Sequence, residues 1–137
     1  MEQISNNFKM AEFRVTNTGL SNEIPENVKP AIRALVDNLL QPICDGSGWR
    51  CGINSGYRSQ EVNRRVGGAS TSQHLKGEAA DCVFYVAPIT VMREVVRLGL
   101  DFDQMIAYPS FVHLSYTTTR PNRKQILYDK SYNGSKL

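Results

Sequence analysis

The chain has only two histidines, His74 and His113, and a carboxylate, Asp81, follows the first of them by seven positions. Imidazole nitrogen and carboxylate oxygen are donors that Zn²⁺ takes at about 2.0–2.2 Å, so the donor atoms of a shared ion must lie within roughly 3–4 Å of one another. A continuous helix would hold His74 and Asp81 two turns, about 10 Å, apart along its axis. The segment must therefore fold back, and Gly77 is the residue that permits a turn. Beyond it, residues 79–86 form a short apolar run that reads as a strand with Asp81 near its start. Further on, Val112, Leu114 and Tyr116 alternate with His113, Ser115 and Thr117, which predicts a second strand carrying His113 on its more polar face. Two neighbouring strands and the loop before one of them would bring three ligands together and leave a fourth position for water, as in catalytic rather than structural zinc. Spacing alone leaves plainer readings open. A lone strand histidine is usually a partly buried polar residue, an aspartate after two alanines is often a cap, and H-x6-D is far less specific than H-E-x-x-H.

The elements that must position these residues are legible in outline. Val28, Ile32, Leu35, Val36, Leu39 and Leu40 recur at helical spacing and predict the longest helix, from about Pro25 to Leu40. Pro25 and Pro30 fall in or before its first turns, and Pro42 is expected to close it. Residues 51–57 read as a strand leading to Arg58, after which Ser59 can cap a short helix through Arg65. Arg58 thus stands at a strand-to-helix corner, from which a guanidinium can grip a carboxylate or a developing oxyanion. A solvated loop arginine is the alternative. The small-residue loop 66–72 has no lysine at phosphate-loop spacing, and its expected task is to bring Ser72 and Gln73 beside the metal, holding the imidazole or touching substrate. Pro88 to Leu98 predicts a second helix with Ile89, Met92, Val95, Val96 and Leu98 inward, ended by Gly99. Residues 103–108 and 111–117 are expected as antiparallel neighbours, residues 122–128 as a last strand, and residues 130–137 as a frayed polar tail.

Composition bounds the function classes. A chain of 137 residues is the size of one domain, expected over 1–137, and 41% apolar with 21% charged residues fits a globular protein. No run approaches the roughly 18–20 apolar residues that span a bilayer. Met1 to Asn7 is polar, so no secretory signal peptide is expected. The net charge of +3 suits an anionic polymer and equally an ordinary surface. No nucleic-acid module is present, and no nucleic-acid partner is expected. Three cysteines form no C-x-x-C: Cys44 and Cys51 flank a turn-rich stretch and are expected as reduced thiols, a disulfide being the alternative, and Cys82 is expected in the core.

Five motifs, in order, carry a resemblance: Ser55-Gly56-Tyr57-Arg58-Ser59, residues 62–69 (VNRRVGGA), residues 72–81 (SQHLKGEAAD), Phe102-Asp103-Gln104-Met105-Ile106 and residues 111–116 (FVHLSY). Together they resemble the zinc D-Ala-D-Ala carboxypeptidase family, which includes bacterial cell-wall peptidases and phage endolysins. The likeness runs from about Phe8 to Leu127. It implies an α+β fold in which a small antiparallel sheet carries the zinc site and packs with a long N-terminal helix and shorter helices, Hedgehog/D-Ala-D-Ala peptidase-like. Residues 1–24 would form an opening segment packed on the long helix. The resemblance also implies that His74, Asp81 and His113 are the zinc ligands and that Arg58 faces substrate. The activity it implies is hydrolysis of a peptide bond in peptidoglycan stem or cross-bridge peptides, by a monomer made in the cytoplasm and acting at the wall if released.

The sequence departs from that family in one respect. Relatives carry an acidic residue three positions before the second histidine or just after the Asp-Gln motif; here those places hold Ser110 and the pair Ala107 and Tyr108. No carboxylate lies between Asp103 and Asp129. Tyr108 is the candidate oxyanion donor, with Glu78 and Asp103 as lesser candidates for a proton shuttle. The alternative function is a catalytically silent, zinc-stabilised module that binds wall peptide in a phage or prophage lysis or tail apparatus.

Overall fold

In the computed structural model, which describes residues 2–137, the helical spacing does form a helix, but not with the expected ends. A 3₁₀ turn (Glu26–Val28) leads into α1 (Lys29–Leu35), a π turn (Val36–Leu40) and α2 (Gln41–Ser47), which follow one another without a break. Pro42 therefore lies inside the rod it was expected to close. A proline has no N–H to give the preceding turn, and here the register widens just before it, with the Gln41 N–H reaching Val36 O. The rod stops at Gly48, whose N–H bonds to Cys44 O at 2.8 Å. Ile32, Leu35, Val36, Leu39, Leu40 and Ile43 are fully buried along it.

Five strands make one sheet: β1 (Gly52–Ser55), β2 (Ala79–Val83), β3 (Gln104–Ala107), β4 (Val112–Ser115) and β5 (Gln125–Tyr128), in the order β1-β2-β4-β3-β5. The architecture is α+β as expected, but the sheet is mixed, because β5 runs parallel to β3 while the other pairs are antiparallel. The chain leaves β4 beside the start of β3, crosses that end in residues 116–124, and so enters β5 in the direction of β3. Buried Asp103 fastens this crossing: it accepts from Arg120 Nη1 at 2.7 Å, and from Arg123 Nη2 at 2.7 Å and backbone N at 2.9 Å.

Side-chain alternation gives the sheet two uses. Ala80, Cys82, Met105, Ala107, Val112 and Leu114 turn to one face and join the helical rod and α4 (Pro88–Leu98) in the core. Cys82 is thus a core residue; Cys44, Cys51 and Cys82 are all free, and burial pushes the Cys44 thiol up to about 12. On α4 the inward residues are Ile89, Val91, Met92 and Val95, whereas Val96 is 55% exposed. Val96 sits a quarter-turn past Val95, beyond the strip that the sheet covers, and Val91 takes the place expected for it. Gly99 ends this helix as expected.

The opening segment does more than pack. Phe8 and Phe13 are fully buried, and the Phe13 carbonyl accepts the Tyr57 N–H at 2.7 Å. Asn22 donates to the carbonyls of Arg14 and Tyr57 and accepts from the Ser59 N–H at 2.7 Å, tying this segment to the corner that holds Arg58. The polar tail makes contacts with β5: Tyr132 stacks on Tyr128 with ring centroids 5.8 Å apart, and the Leu137 N–H reaches the Tyr128 hydroxyl. Among the described residues no helix is long and apolar enough to cross a membrane.

Candidate active site

The second sheet face carries the site, and strand register puts it there. Asp81 on β2 stands directly opposite His113 on β4, with Ser55 of β1 beyond Asp81 and Ile106 of β3 beyond His113. Directly opposed residues share a face with Cβ atoms about 4.5–5.5 Å apart, so pairing alone brings the carboxylate to the second imidazole. His113 Nδ1 lies 2.8 Å from Asp81 Oδ1.

His74 reaches the same point from a 3₁₀ turn (Gln73–Lys76) that ends at Gly77. Gly77 has φ +72°, and a Cβ there would come within 2.5 Å of Val28 Cγ1, so both the backbone conformation and the approach of the long helix require glycine. The fold-back expected between His74 and Asp81 is this turn. It leaves His74 Nε2 3.5 Å from Asp81 Oδ2 and the two imidazole centroids 5.2 Å apart. One donor atom from each of His74, Asp81 and His113 lies within 4.8 Å of the others.

The donor chemistry suits a metal. His74 Nδ1 is 2.6 Å from the carbonyl of Gly56, which can only accept, so Nδ1 carries the proton and Nε2 presents its lone pair toward Asp81. A ring nitrogen fixed in this way is the usual outer support of a metal-binding histidine. Burial alone would raise the Asp81 pKa, but the hydrogen bond from His113 leads the effects of the two neighbouring imidazoles that outweigh it and hold the carboxyl well below its usual range. The group is therefore an anion ready to serve as a ligand. His74 and Asp81 are buried and His113 half-buried, which shields the cluster while leaving one side open.

That open side is a cleft of about 600 Å³. Arg58 lies in its wall, fixed by three contacts: Nε donates to Ser55 Oγ at 3.1 Å, Nη1 to Asn63 Oδ1 at 3.2 Å, and Nη2 approaches Asp81 Oδ2 at 3.5 Å. Five guanidinium N–H groups less these three leave two to face the cleft. Tyr108 lines the cleft too, its ring stacked on Phe111 with centroids 4.4 Å apart. Burial, and next the charge of Asp81, push its pKa above the ordinary phenol value. At neutral pH Tyr108 is a proton donor.

Two sequence candidates lie elsewhere. Glu78 accepts from Gln73 Nε2 at 3.1 Å and from the Thr117 hydroxyl at 2.9 Å, on the side of the sheet edge away from the cleft. It stands one residue before β2, and Gln73 and Thr117 hold its carboxylate there. Asp103 is fully occupied by Arg120 and Arg123. Among the described residues Asp81 is the one carboxylate lining the cleft. Ser72 and Gln73 line the cleft beside the triad, but neither holds the imidazole: Ser72 Oγ accepts the backbone N–H of His74, Gln73 Nε2 donates to Glu78, and the ring is held by the Gly56 carbonyl.

Sequence reading missed the residues that hold the site residues. Asn63 and Ser55 orient Arg58, Asn22 pins its corner, and Arg123 reaches the cleft from the start of β5. Ser55 and Asn63 lay inside motifs that could have drawn notice; Asn22 and Arg123 are set by contacts between segments distant in the chain.

Against known families, residues 6–115 match the family described as Peptidase M15. No curated protein matches the chain.

Proposed function

The chain belongs to the M15 peptidase family, a family of metallopeptidases, and from that premise we propose that it hydrolyses a peptide bond in the stem or cross-bridge peptides of bacterial peptidoglycan, with zinc as its metal. The observation that carries this reading is the convergence of His74 Nε2, Asp81 and His113 on one point, with the His74 tautomer set by the Gly56 carbonyl. These three residues would hold the ion. Bound zinc supplies Lewis-acid polarisation of a carbonyl and a water acidified toward neutral pH.

The remaining work falls to the chain's own groups. Arg58, immobilised by Ser55 and Asn63, offers its two spare N–H groups to a substrate carboxylate or to the oxyanion that forms as the carbonyl is attacked. Tyr108 keeps its proton at neutral pH and donates to the same developing charge. The stacked Tyr108–Phe111 pair and Ile106 form an apolar wall that keeps water from the scissile bond.

One observation favours a second reading. Peptide hydrolysis wants a proton shuttle, and among the described residues the cleft holds no carboxylate beyond Asp81. A zinc-stabilised module that binds wall peptide without cutting it accounts for that absence. The two readings separate on turnover. Incubation of zinc-loaded protein with purified peptidoglycan fragments, followed by mass spectrometry with His113→Ala as control, is expected to give a product absent from the control. Bound zinc with no cleavage across a range of stem peptides would overturn the peptidase reading in favour of the silent module.

A further inference from the structure

β1 is the last strand of the sheet, and among the described residues no strand pairs with its outer edge. Exposed strand edges are usually blunted, yet this one lies in a trough. A groove of about 500 Å³ adjoins it, lined by Asn54 and Ser55 of β1, Val15 and Asn17 of the opening segment, and Val62 and Val66 of α3 (Gln60–Arg65) and its end. Arg58 lines both this groove and the catalytic cleft, so the two adjoin at its side chain.

Three features of the groove describe its occupant. Val15 and Val66 are 42% and 50% exposed and come from separate elements, yet both face this groove, giving it apolar banks at a cost to solubility. Apart from Arg58 no charged residue lines it, so an acidic group finds a partner only where the groove meets the cleft, and a terminal amine finds none. The register of β1 against β2 slips between Ile53 and Ser55, which makes exposed Asn54 the extra residue of a bulge, with backbone groups not engaged by β2. Apolar banks, a neutral interior and an open strand edge suit an extended, uncharged peptide segment with small side chains, bound as an added strand.

We propose that this groove is a substrate subsite: it takes the peptide on one side of the scissile bond along β1 and leads it past Arg58 to the metal triad, so that the bond cut is an internal one, as in a cross-bridge, rather than a terminal one. The proposal rests on the peptidase reading above and narrows it. A terminal residue needs only the cleft beside the metal, whereas a cross-linked peptide continues on both sides and needs the adjoining groove as well.

The test compares a synthetic cross-linked stem-peptide dimer with the uncross-linked stem pentapeptide on zinc-loaded protein and on Val66→Trp, which fills the groove from its rim. Unchanged zinc content and melting temperature show that the variant is folded; Val15→Lys, on the opposite bank, serves as the second variant. The expected result is cleavage of the dimer, with the ratio of kcat/KM for dimer to pentapeptide falling at least tenfold in each variant. In ¹⁵N spectra the amides of Ile53, Asn54 and Val66 should shift on addition of the dimer. Trimming of the pentapeptide with no cleavage of the dimer, or a ratio unchanged by both variants, overturns the subsite and leaves the peptidase reading standing. If neither peptide is cut while those amides still shift with the dimer, the peptidase reading fails and the groove stands as a binding site. With neither cleavage nor shifts, both fall.

Discussion

His74 donates its Nδ1 proton to the carbonyl of Gly56 at 2.6 Å, and this contact decides which face of the imidazole meets Asp81. Gly56 can serve because it has no side chain: a Cβ there would lie 2.8 Å from the Phe13 ring and 2.9 Å from the Phe13 backbone. The opening segment, the strand-to-helix corner and the His74–Asp81–His113 cluster are thus in contact through one glycine.

Zinc should stabilise the protein through this triad. Metal that binds the folded state alone contributes about 2.7 kcal/mol at a hundredfold excess over its dissociation constant. Differential scanning fluorimetry is expected to show a zinc-dependent rise in Tm for the wild type and none for His74→Ala or His113→Ala, with metal analysis showing less than one-tenth of wild-type zinc in each, on the order of a 10-fold loss or more. Full occupancy in either variant would remove that residue from the ligand set.

Arg58 and Tyr108 should separate from metal binding. Arg58→Ala is expected to keep zinc and lose affinity for wall peptide, measured by calorimetry, because the guanidinium touches Asp81 only at 3.5 Å and is not a ligand. Tyr108→Phe preserves the stack on Phe111 and deletes one oxyanion donor; a fall in kcat of about 10²-fold with KM little changed is expected. Unchanged affinity in the first, or unchanged kcat in the second, would take that residue out of the site.

Asp103 should govern acid stability. Its hydrogen bonds to Arg120, against the opposing effect of burial, and then those to Arg123 hold its folded pKa far below the ordinary carboxylate value. The sign follows: the stabilisation is complete above the unfolded pKa, about 3.9, and is lost as pH falls below it toward the folded value. Asp103→Asn removes the buried carboxylate from two half-exposed arginines and is expected to cost about 1–3 kcal/mol at pH 7. Urea midpoints measured from pH 7 to pH 2 should show the wild type losing stability below pH 4 or so, with a flatter profile in the variant. Parallel profiles would show that Asp103 is not the group responsible.

Gly77→Ala should disturb both fold and metal. The left-handed conformation costs a residue with a Cβ about 1–2 kcal/mol, and the clash with Val28 adds about 1–3 kcal/mol more. The turn also spaces His74 from Asp81, so zinc affinity should fall together with Tm. A variant that lost stability but bound zinc as tightly as the wild type would show that the turn does not set the ligand geometry.

Much of this protein was readable because its decisive signals are local. Ligand-type residues, a glycine where the chain must reverse, alternation in β4, helical spacing through Leu40 and the Ser59 cap each lie within a few residues, and the structure contains the corresponding turn, strands and helices. Pro42 misled because proline forbids only its own N–H bond, and a widened turn absorbed the loss. The parallel placement of β5 could not be read either, since strand direction depends on which end of β3 the connection crosses.

What the sequence determined by itself was the kind of chemistry, carried by the only two histidines and an aspartate at a spacing that demands a reversal. What tertiary structure decided was which groups support that chemistry. Register set Asp81 opposite His113, the Gly56 carbonyl chose the His74 tautomer, and Arg120 and Arg123 claimed Asp103, while Gln73 and Thr117 claimed Glu78. The reason is physical: residue type and short-range spacing fix what a side chain can do, but whether a carboxylate serves a cleft or an arginine depends on segments tens of residues away. Those partners meet only when the core closes.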